Sequence, residues 1–508
     1  MMLYYQFYKS FIFGGLLVLV VEALSISPSS FVDTFDPNVT EYYFDTIVDH
    51  FNFRPTADAK FPLRYFCNDQ YYANSSSPVL FYAGNEAPID QFVKNSGFLF
   101  EAAQQLEAMV VFAEHRYYGK SFPFGSPEIA LSPQKISYLT VEQAMADFNT
   151  LSVHIREKWQ MKRDTAFIVA GGSYGGNLAL WLRLKNPNLW AGALASSATP
   201  LKHLLRESNA FSKIVADVYG NVSTTCPDLI RKGWKDLFHY MNDNSDENDN
   251  SGRKIVQEEL NLCHIPLPEQ QEQQAYEIYG WISGALETMV QYGYPYPTNF
   301  YNPGPAYPFK VACENMLLEK SPLASLRAAA QHNLLLTDDD WVGIAWGYQC
   351  CTEVYQPMPT NGITDIELPY QPNKTEYFKR CQNRWDGVTP RPDWEEMTFM
   401  SSNIQAGSNI FLTSGQLDPW RAAGIQSLPH HASDSIIVRI IDDGAHHLDL
   451  RSSHPMDPPS VRKVREEELE NFIRWIQQWK EMYPSSSNKE PANKSALLLR
   501  KSMTVLSS

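Results

Sequence analysis

The chain has 508 residues, and 42 Lys and Arg against 57 Asp and Glu give a formal charge of −15 at pH 7. That length predicts two or three domains, or one large core carrying an insertion. A hydrophobic content of 44% and a charged content of 19% exclude wholesale disorder. The acidic balance and the lack of a basic stripe exclude a nucleic-acid partner, whose phosphates need clustered Lys and Arg. His and Cys lack zinc-type spacing, so neither a metal nor another cofactor is expected.

The N-terminus reads as a secretory signal peptide over residues 1–25. Lys9 supplies the positive flank, residues 11–21 (FIFGGLLVLVV) the apolar stretch, and Ala23 and Ser25 the small residues that follow. An uncleaved anchor is the alternative, but the apolar run is too short to span about 30 Å of hydrocarbon. The mature chain is therefore expected in the secretory pathway, in a lysosome or vacuole or outside the cell, with no membrane span. Sequons at Asn38, Asn74, Asn221, Asn373 and Asn493 agree with that route. Seven cysteines, at 67, 226, 263, 313, 350, 351 and 381, allow at most three bridges in an oxidising compartment. Cys67 stands far from the others within the strand-like segment 63–67, and is expected to be the buried leftover.

Short apolar runs at 79–83, 109–113, 166–170 and 191–195 read as strands buried on both faces, with helical patterns such as 141–158 and 177–184 between them. This is the alternation of an α/β domain with a mostly parallel sheet. From about 201 to 341 strand character disappears and helical patterns such as 275–291 take over, broken by the acidic polar loop 241–254. Strand signals return at 410–413 and 435–441. An amphipathic helix follows over 461–479, with Val464, Leu469, Phe472, Ile473 and Ile476 on its apolar face. The tail 484–508 has no periodicity and reads as disordered. The expected organisation is an α/β core (26–200 and 342–483) interrupted by a helical cap (201–341) over the strand ends.

Gly171-Gly172-Ser173-Tyr174-Gly175 follows a predicted strand and opens a predicted helix, the context of a nucleophile elbow. Small glycines admit the tight turn that lifts a serine hydroxyl above the sheet, and the amide of Tyr174 faces a developing oxyanion. A serine nucleophile needs a base, and the base an orienting acid. Asp418 follows the strand at 410–413, and His446 follows the next one at 435–441. The order Ser173, Asp418, His446 is that of the α/β-hydrolase fold. Against this, a glycine-rich turn, an Asp that starts a turn and a satisfied loop histidine are the plain structural readings of each residue taken alone.

The segments FYAGNEAPI (81–89), VVFAEHRYYGKSFPFG (110–125), LTVEQAMADF (139–148), GGSYGGNLALWLR (171–183), SNIQAGSNIFLTSGQLDPW (402–420) and DGAHHLDLRSSHP (443–455) resemble, in order, the serine exopeptidases that include lysosomal Pro-X carboxypeptidase and dipeptidyl peptidase II. YPYPTNF (294–300) and CTEV (351–354) are similar too. The resemblance implies an α/β-hydrolase core with a mostly helical cap, and Ser173 as nucleophile, His446 as base and Asp418 as its orienter. It puts the backbone of Gly84 and Asn85, with Tyr174, at the oxyanion site, and Asn85, Glu86, Asn177, Gln356 and Trp420 around the substrate. His115-Arg116-Tyr117-Tyr118 reads as a supporting loop or as plain packing. The family cuts next to proline, but Asn177 and Gln356 stand where it has apolar residues, which weakens contact with a proline ring. Short peptides are the expected partners, and a homodimer is allowed.

The two activities differ in which peptide end is held: an acid pairs a free α-amine, whereas donors or cations hold a terminal carboxylate. Segments 208–220, 294–300 and 454–461 look closer to dipeptidyl peptidase II, yet Gly347 stands where that branch has an acid; Glu86 or Glu353 would have to replace it. The expected activity is release of a dipeptide after a penultimate proline or alanine, with Pro-X carboxypeptidase and carboxylesterase or lipase chemistry as alternatives, and a non-catalytic binding protein as the contrasting class. The resemblance also implies bridges Cys226–Cys313 and Cys351–Cys381. The family partner of Cys263 is missing here, so Cys263–Cys350 is the expected third bridge, with Cys67 free.

Overall fold

The computed structural model describes residues 35–53, 60–242, 251–264, 270–300, 304–330, 340–399, 401–429 and 432–484. The signal segment, Asn493 and the tail from 485 lie outside them. Eight strands form one sheet: β1 (Thr40–Ile47), β2 (Lys60–Asn68), β3 (Val79–Ala83), β4 (Met109–Ala113), β5 (Phe167–Gly172), β6 (Gly192–Ser196), β7 (Ile410–Gly415) and β8 (Ile436–Ile441). Their spatial order is β1-β2-β4-β3-β5-β6-β7-β8. β1 and β2 join antiparallel and the remaining six strands run parallel, which is the α/β-hydrolase arrangement.

Alternation along the strands explains the apolar runs. Val79, Phe81 and Ala83 enter one core with Met109, Val111, Phe167 and Val169, while Leu80 and Tyr82 enter the other with Val110, Phe112 and Ile168. Strands with both faces buried need apolar residues at every position. The helices Val141–Lys158 and Tyr174–Lys185 close the first face through Phe148, Leu151, Leu178 and Trp181. The helices Phe98–Leu106 and Pro459–Met482 close the second through Leu99, Phe472 and Trp475. On the last helix Ile473 is 42% exposed, contrary to its predicted place on the buried face; Trp475 and Trp479 are buried there instead.

Among the described residues no strand of the sheet lies between β6 and β7, and the helices run well beyond residue 341, to Phe399. They form two packed groups. One centres on Trp234, Tyr279 and Leu326 and is tied by Cys226–Cys313. The other packs Tyr348, Tyr377 and Trp385 on Tyr117 and Tyr118 of the core, tied by Cys351–Cys381. Cys67 is buried and free. The expected Cys263–Cys350 bridge is not formed: Cys350 carries a free thiol. Residues 350 and 351 share the helix Asp340–Thr352, where neighbours point about 100° apart. Turning Cys351 to Cys381 therefore turns Cys350 to another side of the helix, where Lys202, Glu395 and Glu86 act on it electrostatically.

Candidate active site

β5 delivers Ser173 into the turn that opens the helix Tyr174–Lys185. Its backbone sits at φ 58° and ψ −128°, a region that costs an L-residue free energy and persists only where the surroundings fix it. Two glycines are required there. A Cβ on Gly171 would lie 2.2 Å from the carbonyl oxygen of Gly175, and one on Gly175 would lie 2.6 Å from that of Ala83. The same close approach sets the elbow against the end of β3, with the Asn85 side-chain oxygen 3.0 Å from that Gly175 position. Ser173 remains partly exposed while its neighbours in the turn are buried.

The two late strands supply the partners. Beyond β7, Asp418 caps the turn Pro419–Ala423, its Oδ1 accepting from the amide of Trp420 at 3.0 Å. Its Oδ2 lies 2.7 Å from Nδ1 of His446, which follows β8, and both side chains are buried. A carboxylate at that distance fixes the proton on Nδ1 and leaves Nε2 as the basic nitrogen. Among the described residues Nε2 is buried and has no hydrogen-bond partner, so no other protein group occupies its lone pair. The order and strand contexts read from the sequence thus bring Asp418 and His446 into contact, at the strand ends where Ser173 also stands.

The oxyanion site needs one correction. The amide of Gly84 donates to the carbonyl of Ala113 at 3.0 Å, which extends the β3–β4 ladder and occupies that donor. Tyr174 and Asn85 remain as the candidate donors, on either side of the elbow. Tyr174 is anchored from below: its hydroxyl accepts from Gln349 Nε2 at 3.0 Å and lies 3.2 Å from His115 Nε2. Tyr118 in turn donates to Gln349 Oε1 at 2.6 Å. Burial lowers the His115 pKa to about 4, so its ring stays neutral in this network. Arg116 makes a two-point contact with Asp147, at 2.6 and 2.8 Å, and fixes the start of the loop. The His115–Tyr118 segment therefore supports the elbow, and Gln349 is the member that sequence reasoning missed. It lies one residue before the Cys350–Cys351 pair, in the segment compared with the dipeptidyl branch, where attention went to Gly347.

The predicted pocket residues divide. Asn177 does not line an open pocket: it is wholly buried, accepting from the Thr199 amide at 2.7 Å and donating to the Thr199 hydroxyl at 3.3 Å. An amide turned inward in this way is satisfied by protein rather than by substrate. Trp420 is partly exposed, packs edge-on against Phe211 of the cap and donates to Gln291 at 3.1 Å. Gln356 is partly exposed in a loop. Glu86 is also partly exposed and accepts from Asn85 Nδ2 at 2.9 Å. Glu353 is buried and accepts from the amide of Val141 at 2.8 Å, so it caps a core helix rather than facing substrate.

The cap reaches His446. Gln291, the last residue of the helix Gln271–Gln291, accepts the His446 amide at 2.9 Å, and the Tyr294 hydroxyl donates to the His446 carbonyl at 2.9 Å. The His447 ring lies against that of His446, with centroids 4.5 Å apart, but has other partners. Its amide donates to Ser197 Oγ at 2.8 Å, and its ring meets Phe300 with centroids 5.6 Å apart. Burial, with the charges of His446 and Arg451, holds the His447 pKa well below the ordinary value. Among the described residues no cluster of His, Cys, Asp and Glu could hold a metal ion, and no helix is long and apolar enough to cross a membrane.

A family model described as serine carboxypeptidase S28 matches residues 47–339 and 342–468. Over 452 residues the chain is 36% identical to the lysosomal Pro-X carboxypeptidase of Bos taurus, covering 85% of this chain and 87% of that protein. For the Homo sapiens protein of the same name the identity is 36% over 457 residues, with 86% and 88% covered. The thymus-specific serine protease of Homo sapiens is 23% identical over 466 residues, with 86% and 87% covered. The chain therefore belongs to the serine carboxypeptidase S28 family and is a serine exopeptidase.

Proposed function

We propose that the protein hydrolyses short peptides next to proline through an acyl-enzyme formed on Ser173, and that it releases the C-terminal residue after proline. The observation that carries the chemistry is the 2.7 Å contact between His446 Nδ1 and Asp418, with Nε2 left unpartnered. Nε2 takes the Ser173 proton as the hydroxyl attacks the proline carbonyl. The oxyanion is received by the amides of Tyr174 and Asn85, and His446 returns the proton to the leaving amine. Water then repeats the sequence and frees the acid. The relatives named Pro-X carboxypeptidase, at 36% identity, support the C-terminal reading over the dipeptidyl expectation.

Release of an N-terminal dipeptide is the second reading, favoured by the likeness of segments 208–220 and 294–300 to that branch. The cap's hold on His446 and Trp420 supports a covered cleft that takes a peptide end rather than a long internal segment. Asn38, Asn74, Asn221 and Asn373 are all exposed, which supports glycosylation along a secretory route to a lysosome or vacuole, or outside the cell. A panel of N-blocked Xaa-Pro-Xaa acids, free-amine Xaa-Pro and Xaa-Ala amides, and simple esters tests the reading. Selective cleavage of the blocked acids supports it. Turnover of only the free-amine amides supports dipeptide release, and turnover of only the esters removes the peptidase reading.

A further inference from the structure

The exopeptidase reading leaves open what holds the peptide end. A leaving amino acid carries its carboxylate carbon two bonds from the scissile nitrogen, about 2.5 Å away. In C-terminal release, the terminal carboxylate must therefore lie close to His446, which protonates that nitrogen. The α-ammonium of a dipeptide lies on the acyl side, most of two residues away. A group that recognises the C-terminus thus has to stand beside the base and the oxyanion site.

Glu86 stands there. It directly follows Asn85, whose side chain abuts the elbow, and it is held by the 2.9 Å bond from Asn85 Nδ2. His446 and Lys202 act on it electrostatically, and it acts in turn on Tyr118, Tyr174 and Cys350. The Lys202 ammonium, the other cation in this set, is committed to Glu395 at 3.0 and 3.3 Å. We infer that Glu86 is the specificity residue for the substrate's C-terminal carboxylate: as a neutral carboxyl it donates to that group, and as a carboxylate it repels it.

Physical chemistry supports the neutral form. Burial raises the Glu86 pKa above the ordinary carboxyl value, against the opposing effects of its own amide, Asn85, His446 and Lys202. Two carboxyl groups in a partly dry cleft share a proton more readily than they share a charge. Below the Glu86 pKa the pair is hydrogen-bonded. Above it, both partners are anionic, and binding of free-acid peptides weakens while binding of the matching amides does not. The fall expected for loss of a charge-assisted hydrogen bond is roughly ten- to a hundredfold in kcat/KM.

The inference rests on C-terminal release, so its test must separate the two. The measurement is kcat/KM for an N-blocked Xaa-Pro-Phe acid and its C-terminal amide from pH 4 to 8, in wild type, Glu86→Gln and Glu86→Ala. Fluorophosphonate labelling of each variant reports whether its site is folded. The inference predicts that wild type prefers the acid at low pH and loses the preference as pH rises. In Glu86→Gln, which keeps a donor at every pH, the preference should persist to pH 8; in Glu86→Ala it should be lost throughout. If wild type cleaves the acid but labelled variants keep its preference and pH profile, Glu86 is not the anchor, while C-terminal release stands. If wild type cleaves neither blocked substrate, C-terminal release itself fails. Loss of turnover confined to free-amine peptides in Glu86→Gln would assign the carboxylate to the opposite peptide end.

Discussion

The hydroxyl of Tyr294, in the cap, donates to the backbone carbonyl of His446, in the core, at 2.9 Å. One residue earlier on the same loop, Ala445 packs in the second core of the sheet. His446 is thus held from two sides, by the sheet beneath it and by an element inserted between β6 and β7. A peptide that enters under the cap meets a histidine whose backbone the cap itself fixes. Removing the Tyr294 hydroxyl should loosen that hold without touching a side chain of the triad. Tyr294→Phe forfeits a hydrogen bond of about 1 kcal/mol, so kcat should fall about three- to tenfold with little change in KM. Steady-state kinetics on one blocked peptide checks this, and an unchanged kcat would show that the bond is idle.

Two adjacent histidines should behave differently. His446→Ala and Asp418→Asn are expected to lower kcat by about 10⁴ or more, because one removes the base and the other its correct tautomer. His447→Ala should cost far less, since its ring packs on Phe300 and against Gly172. A dead His447→Ala beside an active His446→Ala would overturn the assignment of the base.

One buried carboxyl should favour acid. Glu468 is buried on the C-terminal helix, and burial with the nearby Asp449 raises its pKa well above 4.5. Asp449 is itself engaged by the hydroxyls of Ser196 and Thr413, at 2.6 and 2.7 Å. A carboxyl whose folded pKa is raised contributes fully below the unfolded value near 4.5; that contribution is lost as pH climbs through the folded value. Burial raises the Glu353 pKa in the same direction. Below about 6.5 the buried neutral rings of His115 and His447 contribute the opposite slope, so the quantity to read is a difference: the melting-temperature advantage of Glu468→Gln over wild type should grow from pH 5 toward pH 8. Thermal scans of both proteins across that range decide it, and an advantage that shrinks as pH rises contradicts the argument.

The cap bridge should matter to the fold more than to the chemistry. Cys226 and Cys313 are 87 residues apart and both wholly buried. Replacing both with Ser should destabilise the protein by about 2–4 kcal/mol. Alkylation of the native protein should spare Cys67, which is buried in the sheet and whose thiol pKa burial pushes up to about 12. Denaturant titration and peptide mapping test the two statements separately.

Strands β3 to β7 were legible because each is buried on both faces, and nothing but an unbroken apolar run satisfies two cores at once; β1, largely exposed, carries no such run. The elbow was legible because its glycines have no substitute. Backbone commitments were not. Nothing in GNE shows that the Gly84 amide is already spent on Ala113, since ladder hydrogen bonds depend on register rather than on residue type. Asn177 looked like a polar intrusion into a pocket because its partner, Thr199, lies 22 positions away in another turn. Cys350 was assigned a partner by elimination, whereas the direction of a thiol on a helix is decided by its neighbour's bridge. The YPYPTNF segment was noticed without a role, because its contact with His446 joins residues 152 apart.

The central claim is that Ser173 is the nucleophile activated by His446 and Asp418. Mass spectrometry of the full chain after treatment with a fluorophosphonate tests it most directly. The account predicts one adduct, mapped to Ser173, lost in Ser173→Ala, strongly slowed in His446→Ala and competed by a short proline-containing peptide. Labelling at another serine, or turnover that survives Ser173→Ala, would contradict it.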